Sequence, residues 1–478
     1  MAIYNVATQK QLETAIAGLK NGDTILLAAG QYDLIKMRTT TRQDHSFEQK
    51  VTIASADPNN PAVVSELRLS NVDNVTFSGV KFDYDPAKTS SKPFYVETSS
   101  RLVFDNVTFE GEVINGFGAG QGLRVKDSNR VTVVDSHFVN FQNATNFSNM
   151  SDVAILDNDV RGMSNDGFTF GGMTRILIAG NDFRDYESPD PLAPHKDNIQ
   201  FRAGNNEAAS TDVVIRENLM VVDEARHGVY MGNEAYRDGD DASVHTNVLI
   251  ENNTLSTSQT HGITVFHADR LVIRDNILTK NPDMALTDKV YTPIINVSKY
   301  STHVLIQGNQ VASVQTPQNE TWTVVDNLVS GQRYLHWDGT LNMVDAANRG
   351  LIIPPDPIDP EGEIFRFDGK DVQGLTLSSV AGLDFGRGDE IYLHGFDAGV
   401  FQGVTGGNSL EIWEHGGAVR IDSALDLQEL SDISPLVTGR TNKAGTLTLI
   451  ITESDGQLQI ELPGMAAAWA AADRPDLY

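Results

Sequence analysis

The sequence predicts an all-β protein whose larger part is a solenoid, a right-handed parallel β-helix. One observation is a phrase of alternating apolar residues that occurs nine times between Val75 and Asn309, at intervals of 22 to 37 residues. A period of about 20 to 40 residues indicates a solenoid, and the alternation indicates strands. The second observation is an asparagine at the same point of the last six phrases, where coiling would stack the amides. These positions are Asn158, Asn181, Asn218, Asn253, Asn276 and Asn309.

A short helix is predicted before the first coil. Leu12, Ala15 and Ile16 lie at helical spacing within residues 9 to 20, and a helix here would cover the open end of the stack, as a solenoid cap must. We expect the solenoid domain to span residues 1 to 350. The proline-rich, acidic residues 351 to 363 predict a linker, and residues 364 to 478 predict a small β-rich C-terminal domain.

The unequal spacing of the phrases locates inserted loops. The longest intervals exceed the shortest by roughly 10 to 15 residues, and the insertions begin at Asp185, Ala203, Gly232 and Lys280. Consecutive insertions in a solenoid form a wall along one side of the stack. We therefore expect a groove beside the later coils.

Each later coil has a second strand, and aligning these strands places polar side chains on the groove. Successive side chains of a strand take opposite faces. Phe168, Ile199, Val229 and Ile263 then point inward, as do Phe170, Phe201, Met231 and Val265. The predicted outward positions are Arg124, Lys126, Thr169, Gln200, Arg202, Tyr230 and Thr264. The predicted turn positions are Asp166, Lys196, Asp197, Arg226, His227 and His261.

These residue types suit proton abstraction from the carbon beside a uronate carboxyl group. That C–H is acidic enough only when the carboxylate charge is countered as the intermediate develops. Lysine and arginine could counter it, while tyrosine and histidine could serve as base and acid. The predicted catalytic residues are His195, Lys196, Arg202, His227 and Tyr230. The predicted substrate-binding residues are Arg124, Lys126, Asp166, Asp197, Gln200, Arg226, His261 and His267.

Several reactions remain open at this stage. Loss of the leaving group after abstraction gives a lyase, and reprotonation on the opposite face gives a uronate epimerase. Asp166 and Asp197 lie on neighbouring coils about 4.8 Å apart, and a glycoside hydrolase needs such a carboxyl pair. A non-catalytic glycan-binding surface protein is the remaining alternative. A long open groove suits an extended polymer better than a small molecule.

One inserted loop predicts a calcium site. Its candidate ligands are Glu234, Asp238, Asp240 and Asp241. Calcium takes about six to eight oxygen ligands, and one short loop supplies too few without help. The competing interpretation is a solvated acidic loop.

Composition limits the partners. Lysine and arginine number 36 against 64 aspartates and glutamates, which gives a net charge of −28, so nucleic acid is excluded. The chain has no cysteine, so thiol chemistry is not expected. It has no apolar run of about 18 residues, so we expect no membrane span. We expect a monomer whose partner is an acidic polysaccharide, with local cations or metal ions offsetting the repulsion.

Two stretches resemble secreted proteins. The helix, the Gly-Asp-Thr-Ile turn from Gly22 and the Gly-Gln-Tyr from Gly30 resemble the start of β-helical polysaccharide lyases, including chondroitinase B and related alginate lyases. This resemblance implies a lyase. Residues 382 to 401, GLDFGRGDEIYLHGFDAGVF, are similar to the C-terminal regions of proteins exported by type I secretion. That similarity implies an extracellular protein, although the calcium-binding glycine-aspartate nonapeptides of such regions are absent here.

A third resemblance concerns one tetrapeptide. Mannuronan C5-epimerases have a catalytic Asp-Pro-His-Glu motif, and Ala193-Pro194-His195-Lys196 is similar to it only in Pro194 and His195. Both acidic members are replaced, so the lyase is favoured over the epimerase. The acidic calcium cluster and the lysine-arginine pair of chondroitinase-B-like enzymes are not assignable by spacing either.

Overall fold

The repeated phrases form strands that coil into a stack. A computed structural model describes residues 1–41, 44–190, 195–204, 207–222, 224–237, 242–281 and 292–329, together with separate strands and single residues between 364 and 465. The chain divides into two units, Met1–Pro360 and Glu361–Tyr478. The predicted linker at 351 to 363 lies outside the described residues.

The first unit contains the helices α1 (Gln9–Gly18) and α2 (Glu234–Arg237). Its first strands are β1 (Ile3–Val6), β2 (Thr24–Leu27), β3 (Gly30–Tyr32), β4 (Ile35–Arg38), β5 (Ser46–Ser55), β6 (Ala62–Val64), β7 (Leu67–Ser70), β8 (Asp73–Ser78), β9 (Lys81–Asp83), β10 (Phe94–Glu97), β11 (Ser100–Asp105), β12 (Thr108–Glu110), β13 (Glu112–Ile114), β14 (Phe117–Ala119), β15 (Gln121–Lys126), β16 (Asn129–Val134), β17 (His137–Val139) and β18 (Asn143–Leu156). The strands that follow are β19 (Asp159–Arg161), β20 (Phe168–Ala179), β21 (Asp182–Arg184), β22 (Asp197–Arg202), β23 (Thr211–Arg216), β24 (Leu219–Val221), β25 (His227–Met231), β26 (His245–Glu251), β27 (Thr254–Thr257), β28 (His261–Val265), β29 (Ala268–Arg274), β30 (Ile277–Lys280), β31 (Ile294–Val297), β32 (Thr302–Gln307), β33 (Gln310–Val311), β34 (Trp322–Val325) and β35 (Leu328–Val329).

Each coil contributes strands to three parallel faces. The first face contains β4, β7, β10, β15, the first parts of β18 and β20, β22, β25, β28 and β31. The second face contains β1, β2, β5, β8, β11, β16, the second parts of β18 and β20, β23, β26, β29, β32 and β34. The third face contains β3, β6, β9, β12, β17, β19, β21, β24, β27, β30, β33 and β35. The predicted parallel β-helix is confirmed.

The repeated phrases pair in register along the second face. Their first apolar residues are aligned from Val75 to Val304. The column also extends beyond the phrases, because Val51 pairs with Val75 and Val304 pairs with Trp322. The nine phrases between Val75 and Asn309 are therefore not the whole repeat. The sequence TWTVVDN from Thr321 adds a coil, with tryptophan in the first apolar position.

The stacked asparagines form a continuous hydrogen-bonded column, which we call the asparagine column. Each side-chain amide nitrogen from Asn158 to Asn309 donates to the amide oxygen of the next coil's asparagine at 2.9 Å. That oxygen also accepts a backbone N–H of the preceding coil. Asn327, which the repeat did not predict, is the last member. Buried polar groups must be paired, and the column meets this requirement without charge.

The corner that opens each phrase has left-handed backbone. The residue before the first apolar position has φ between 48° and 61° in all nine phrases. These residues are Asn74, Arg101, Arg130, Asp152, Arg175, Asp212, Asn247, Arg270 and His303. Asparagine and aspartate tolerate this region better than long side chains do, so the coil geometry imposes it on the arginines.

The core lies between the three faces and is closed by α1. The residues predicted to point inward from β20, β22, β25 and β28 are fully buried. Leu12, Ala15 and Ile16 of α1 are buried as predicted, and the Thr8 side chain caps the helix by accepting the Gln11 N–H. Among the described residues, no helix is long and apolar enough to cross a membrane.

The second unit is β-rich. Its described strands are β36 (Ile364–Asp368), β37 (Gly374–Ser379), β38 (Glu390–His394), β39 (Glu411–Trp413), β40 (Ala418–Ile421), β41 (Val437–Thr441), β42 (Thr446–Thr452) and β43 (Gly456–Pro463). They form two four-stranded sheets, ordered β36-β38-β40-β39 and β37-β43-β42-β41. Each sheet has one parallel pair, and its other pairs are antiparallel.

Candidate functional site

The outward side of the first face brings the predicted polar residues together. Register aligns Thr169 with Gln200, Gln200 with Tyr230, and Tyr230 with Thr264. Arg124 and Lys126 lie upstream on the same side, paired with Asn146 and Ser148. The alternation rule therefore located this surface correctly.

Four aromatic side chains gather where β22, β25 and β28 begin, and we call His195, His227, Tyr230 and His261 the ring cluster. The His227 and Tyr230 rings are stacked with centroids 5.1 Å apart, and the His261 ring meets His227 edge-on at 4.8 Å. The His195 centroid lies 5.8 Å from His227 and 6.3 Å from Tyr230. His195 is exposed, so the cluster reaches solvent through it.

Asp197 orients His227. The Nδ1 of His227 lies 2.6 Å from Oδ1 of Asp197, and Gln200 donates to the other carboxylate oxygen at 2.6 Å. Both members of the pair are buried. Because a carboxylate only accepts, this hydrogen bond assigns the His227 proton to Nδ1. Nε2 is then unprotonated and free to accept a proton. His227 is thereby a candidate general base.

Asp166 supports this pair from the preceding coil. Its carboxyl accepts the Asp197 N–H at 3.1 Å and the side-chain amides of Asn143 and Asn165 at 2.8 Å. Burial, and then the charge of Asp197, raises the pKa of Asp166 to about 6. Asp166 and Asp197 are both buried and hydrogen-bonded within the corner. They cap the turn, and this arrangement does not supply the flanking acids of a glycoside hydrolase.

Burial acts in opposite directions on Tyr230 and His261. It raises the pKa of Tyr230, helped by the charges of Asp197 and Glu234, so the phenol keeps its proton. Burial lowers the pKa of His261, helped by His227 and His195. Nδ1 of His261 lies 2.8 Å from the Thr264 hydroxyl. The cluster thus contains a phenol that keeps its proton next to His261, whose lowered pKa favours the neutral imidazole.

The prediction that Lys196 and Arg226 line the groove is wrong. Lys196 is 4% exposed and Arg226 is 0% exposed, because both turn toward Glu224, at 3.2 and 2.9 Å. Glu224 also accepts the N–H and the hydroxyl of Ser188. We call Ser188, Lys196, Glu224 and Arg226 the buried clasp. Glu224 thus engages both cations inside the protein.

The buried clasp adjoins both key histidines. Lys196 follows His195 directly, and Arg226 directly precedes His227. The Arg226 guanidinium also lies over the Tyr186 ring, 4.2 Å from its centroid. The clasp therefore fixes the inserted segment after β21 to the turn before β25. Sequence reasoning missed Ser188 and Glu224, and the only available signal was Glu224 two residues before Arg226.

Arg202 lies in the outward column beside that of Gln200 and is half-buried. Its charge and that of Arg124 act against the burial that raises the pKa of Glu207. Both arginines therefore lie near the Glu207 carboxylate. Along the first face, Arg124 lies upstream of Asn146 and Arg202 lies downstream of it.

The predicted calcium ligands are only partly described. Glu234 begins α2, whereas Asp238, Asp240 and Asp241 lie outside the described residues. Where the structure describes the chain, no group of three or more histidine, aspartate or glutamate side chains is arranged to hold a metal. His267 does not join the ring cluster, because its ring packs on Tyr236 at 3.8 Å and its Nδ1 lies 2.7 Å from the Ser243 carbonyl.

Residues 65–311 match the family described as right handed beta helix region. This match covers slightly more than half of the chain and also gives the handedness of the coil. No curated protein sequence matches the chain.

Several solved structures are similar in part. A surface adhesin of Streptococcus pneumoniae, PfbA, is 15% identical, with 67% of this chain and 86% of that chain covered and a TM-score of 0.41. The A-module of a mannuronan C-5 epimerase from Azotobacter vinelandii is 16% identical, with coverage of 69% and 93% and a TM-score of 0.37. An alginate lyase from Paenibacillus sp. str. FPU-7 is 14% identical, with coverage of 68% and 94% and a TM-score of 0.34. Similarity at this level assigns no reaction to this chain.

Proposed function

The chain belongs to the family of right-handed β-helix regions, and we propose that its groove is the active site of an extracellular polysaccharide lyase. The substrate in this proposal is an acidic polysaccharide that contains uronic acid, and the reaction is β-elimination. The observation that carries it is the His227–Asp197 pair, joined at 2.6 Å, with the protonated Tyr230 stacked on its imidazole. A fold alone hosts many reactions, so we propose the reaction from these side chains.

The reaction begins at the C5–H of a uronate. Nε2 of His227 takes this proton, the C–H electrons form the C4–C5 double bond, and the C4–O4 bond breaks. Tyr230 donates its phenolic proton to the departing oxygen and later recovers one from the His227 imidazolium or from solvent. The acid and the base are then complementary, as general acid–base catalysis requires.

The substrate carboxylate needs a counter-charge while negative charge develops. We assign this role to His195, the exposed member of the ring cluster, and assign Arg202 to the carboxylate of a neighbouring sugar. Lys196 and Arg226 act indirectly, because the buried clasp holds the two turns that present His195 and His227. His261 and Thr264 contribute polar contacts to the sugar.

The ring geometry favours elimination over epimerisation. Centroids 5.8 and 6.3 Å apart correspond to aromatic rings in contact, so no pyranose fits between His195 and the other two rings. All these groups therefore meet one face of the sugar. Elimination can proceed with both proton transfers on one face, whereas epimerisation needs a donor on the opposite face.

The test compares product formation by wild type, Tyr230→Phe and His227→Gln on alginate, polygalacturonate and chondroitin. We expect ultraviolet absorbance from unsaturated uronate ends in the wild type and a loss of about 100-fold or more in each variant. His303→Gln is the matched control, because His303 is exposed on the second face, away from the ring cluster. Binding without any turnover would instead support a glycan-binding surface protein.

Export and calcium are further parts of this proposal. Residues 382 to 401 support type I secretion, which culture-medium recovery with and without residues 361 to 478 would test. The calcium site would use Glu234 with Asp238, Asp240 and Asp241. A ligand that binds only the folded state raises the melting temperature, so we expect added calcium to raise it in wild type and not in Asp240→Asn.

A further inference from the structure

We infer that the upstream half of the first face is a binding track for a polyanionic chain, leading along the helix axis to the ring cluster. The track consists of five cations on β4, β7 and β15, and we call them the cationic track. Its members are Lys36, Arg38, Arg68, Arg124 and Lys126. This inference rests on the proposed function for the polymer's identity, a polyuronate.

The cationic track shares a column with the ring cluster. In the register of neighbouring strands, Lys36 is aligned with Arg68, Arg68 with Tyr95, and Tyr95 with Arg124. From Arg124 the same column continues through Asn146 and Thr169 toward Tyr230. The full column is Lys36, Arg68, Tyr95, Arg124, Asn146, Thr169, Gln200, Tyr230, Thr264 and Asn296. None of these positions holds a carboxylate, although the chain has 64 acidic residues.

The adjacent column is also cationic on balance. Arg38 is aligned with Ser70, Ser70 with Glu97, and Glu97 with Lys126. Glu97 is the only acid in this stretch of the column. It accepts the Tyr95 hydroxyl at 3.0 Å and lies 3.6 Å from Lys126. Its charge is thus already offset within the protein.

Lys36 and Arg38 have no partner in the described part of the chain, and Arg124 has only the nearby Glu207 carboxylate. Lys36 and Arg38 are exposed and Arg124 is half-buried, and none of them forms a hydrogen bond or an ion pair there. Arg68, by contrast, is paired with Glu66 at 2.7 Å. Unpaired cations in a chain of net charge −28 form a local field of opposite sign, which attracts and orients an anionic ligand.

The spacing of the coils suits a polyuronate. Neighbouring strands lie about 4.8 Å apart, and a pyranose residue in an extended chain is of similar length, so successive carboxylates can meet successive coils. Arg124 lies four coils from Tyr230 and Lys36 lies seven, about 19 and 34 Å away. Long chains therefore reach the whole track, while short oligosaccharides at the ring cluster do not.

The first experiment measures binding to long alginate and polygalacturonate by affinity electrophoresis, with uncharged dextran as the blank. The track variant is Lys36→Gln, Arg38→Gln, Arg124→Gln. The control is Lys10→Gln, Lys20→Gln, Arg130→Gln, which changes the net charge equally at exposed positions off the column. We expect about tenfold or greater weakening in the track variant and less than about twofold in the control, with the difference vanishing at high salt. Equal weakening in both, no weakening, or no wild-type binding to either polyuronate would overturn the inference.

A second experiment uses uronate oligosaccharides of graded length. We expect Arg124→Gln to weaken binding once the chain exceeds about five sugars, and Lys36→Gln only beyond about eight, from the number of coils spanned. Length-independent effects would contradict a track. Track-dependent binding without unsaturated products would refute the lyase and leave the track standing, whereas cleavage without these length effects would refute the track alone.

Discussion

Two corners of this solenoid stack buried polar side chains, and they are made of opposite chemistry. The asparagine column closes the corner after the second face with neutral amides, whose oxygens and nitrogens are all paired from Asn158 to Asn309. The corner that leads into the first face holds carboxylates, imidazoles, an ammonium and a guanidinium. The fold thus shows that neutral amides suffice to close a coil.

The charged corner is the less well satisfied of the two. Nε and Nη1 of Arg226 are buried without hydrogen-bond partners, and burial lowers the pKa of both Arg226 and Lys196. Taking ions out of water costs several kcal/mol, and well-packed neutral groups commonly replace buried ion pairs without loss. The ions at this corner therefore need a reason other than stability, and the adjoining ring cluster supplies one.

The largest loss of stability is predicted for a substitution at the charged corner. Glu224→Gln leaves Lys196 and Arg226 buried without a counter-ion, and we expect a loss of about 3–5 kcal/mol in the free energy of unfolding. Urea denaturation measures it. The matched control is Glu217→Gln, since Glu217 is exposed on the preceding corner, between β23 and β24. A Glu224→Gln variant within about 1 kcal/mol of the control would show that the clasp does not hold the turns.

The next largest loss of stability is predicted for a substitution in the asparagine column. Asn218→Ala removes the acceptor of both Asn181 donors and the donor to Asn253, so we expect a loss of about 2–3 kcal/mol. Asn327→Ala, at the half-buried end of the column, should cost about 1 kcal/mol. Turnover per folded molecule should be unchanged in both. A strong loss of turnover in the Asn218→Ala variant would remove the separation between scaffold and site.

The two corners also differ in how their stability depends on pH, because Asp166 titrates and the asparagines do not. The pKa of Asp166 rises from 3.8 to about 6 on folding. Its contribution to stability is therefore present at low pH and is lost as the pH rises from about 4 to 6. We expect wild type to lose about 2 kcal/mol across this interval relative to Asp166→Asn. Asn218→Ala should keep the wild-type pH slope, and a shared change of slope would contradict the assignment to Asp166.

The third corner, which opens each phrase, gives the smallest effect. Arg130 has φ of 51°, and asparagine holds the equivalent position at Asn74 and Asn247. Because asparagine tolerates left-handed backbone, we expect Arg130→Asn to raise the free energy of unfolding by a few tenths of a kcal/mol. Thermal denaturation against Arg440→Asn, a strand position in the second unit, checks this. A destabilised Arg130→Asn would mean that the arginine side chain, and not the backbone, matters there.

The sequence predicted the scaffold well because repetition fixes register. A phrase that recurs at one position of each coil aligns every residue that follows it within the strand, which is why the columns of Gln200, Tyr230 and Thr264 were correct. The same reasoning missed the coil at Trp322, because a tryptophan and a shorter interval disguised the phrase.

The prediction failed at turns, where alternation of side chains no longer holds. His195 has φ of 60°, and Lys196 after it turns inward to Glu224. The direction of a turn side chain depends on local backbone and on contacts between coils, such as that of Ser188 with Glu224. These contacts join segments separated by an insertion of variable length, so the repeat gives no information about them.

The elimination that we propose for the ring cluster removes a uronate C5 proton and expels the neighbouring sugar. It is tested most directly by NMR of the products formed from long polyuronate in D2O by wild type and by Tyr230→Phe. For wild type we predict shortened chains whose new non-reducing ends carry the C4–C5 double bond, with no deuterium at C5 of intact residues. For Tyr230→Phe we predict neither shortened chains nor unsaturated ends. Saturated ends, or deuterium at C5 in chains of unchanged length, would refute β-elimination at the ring cluster.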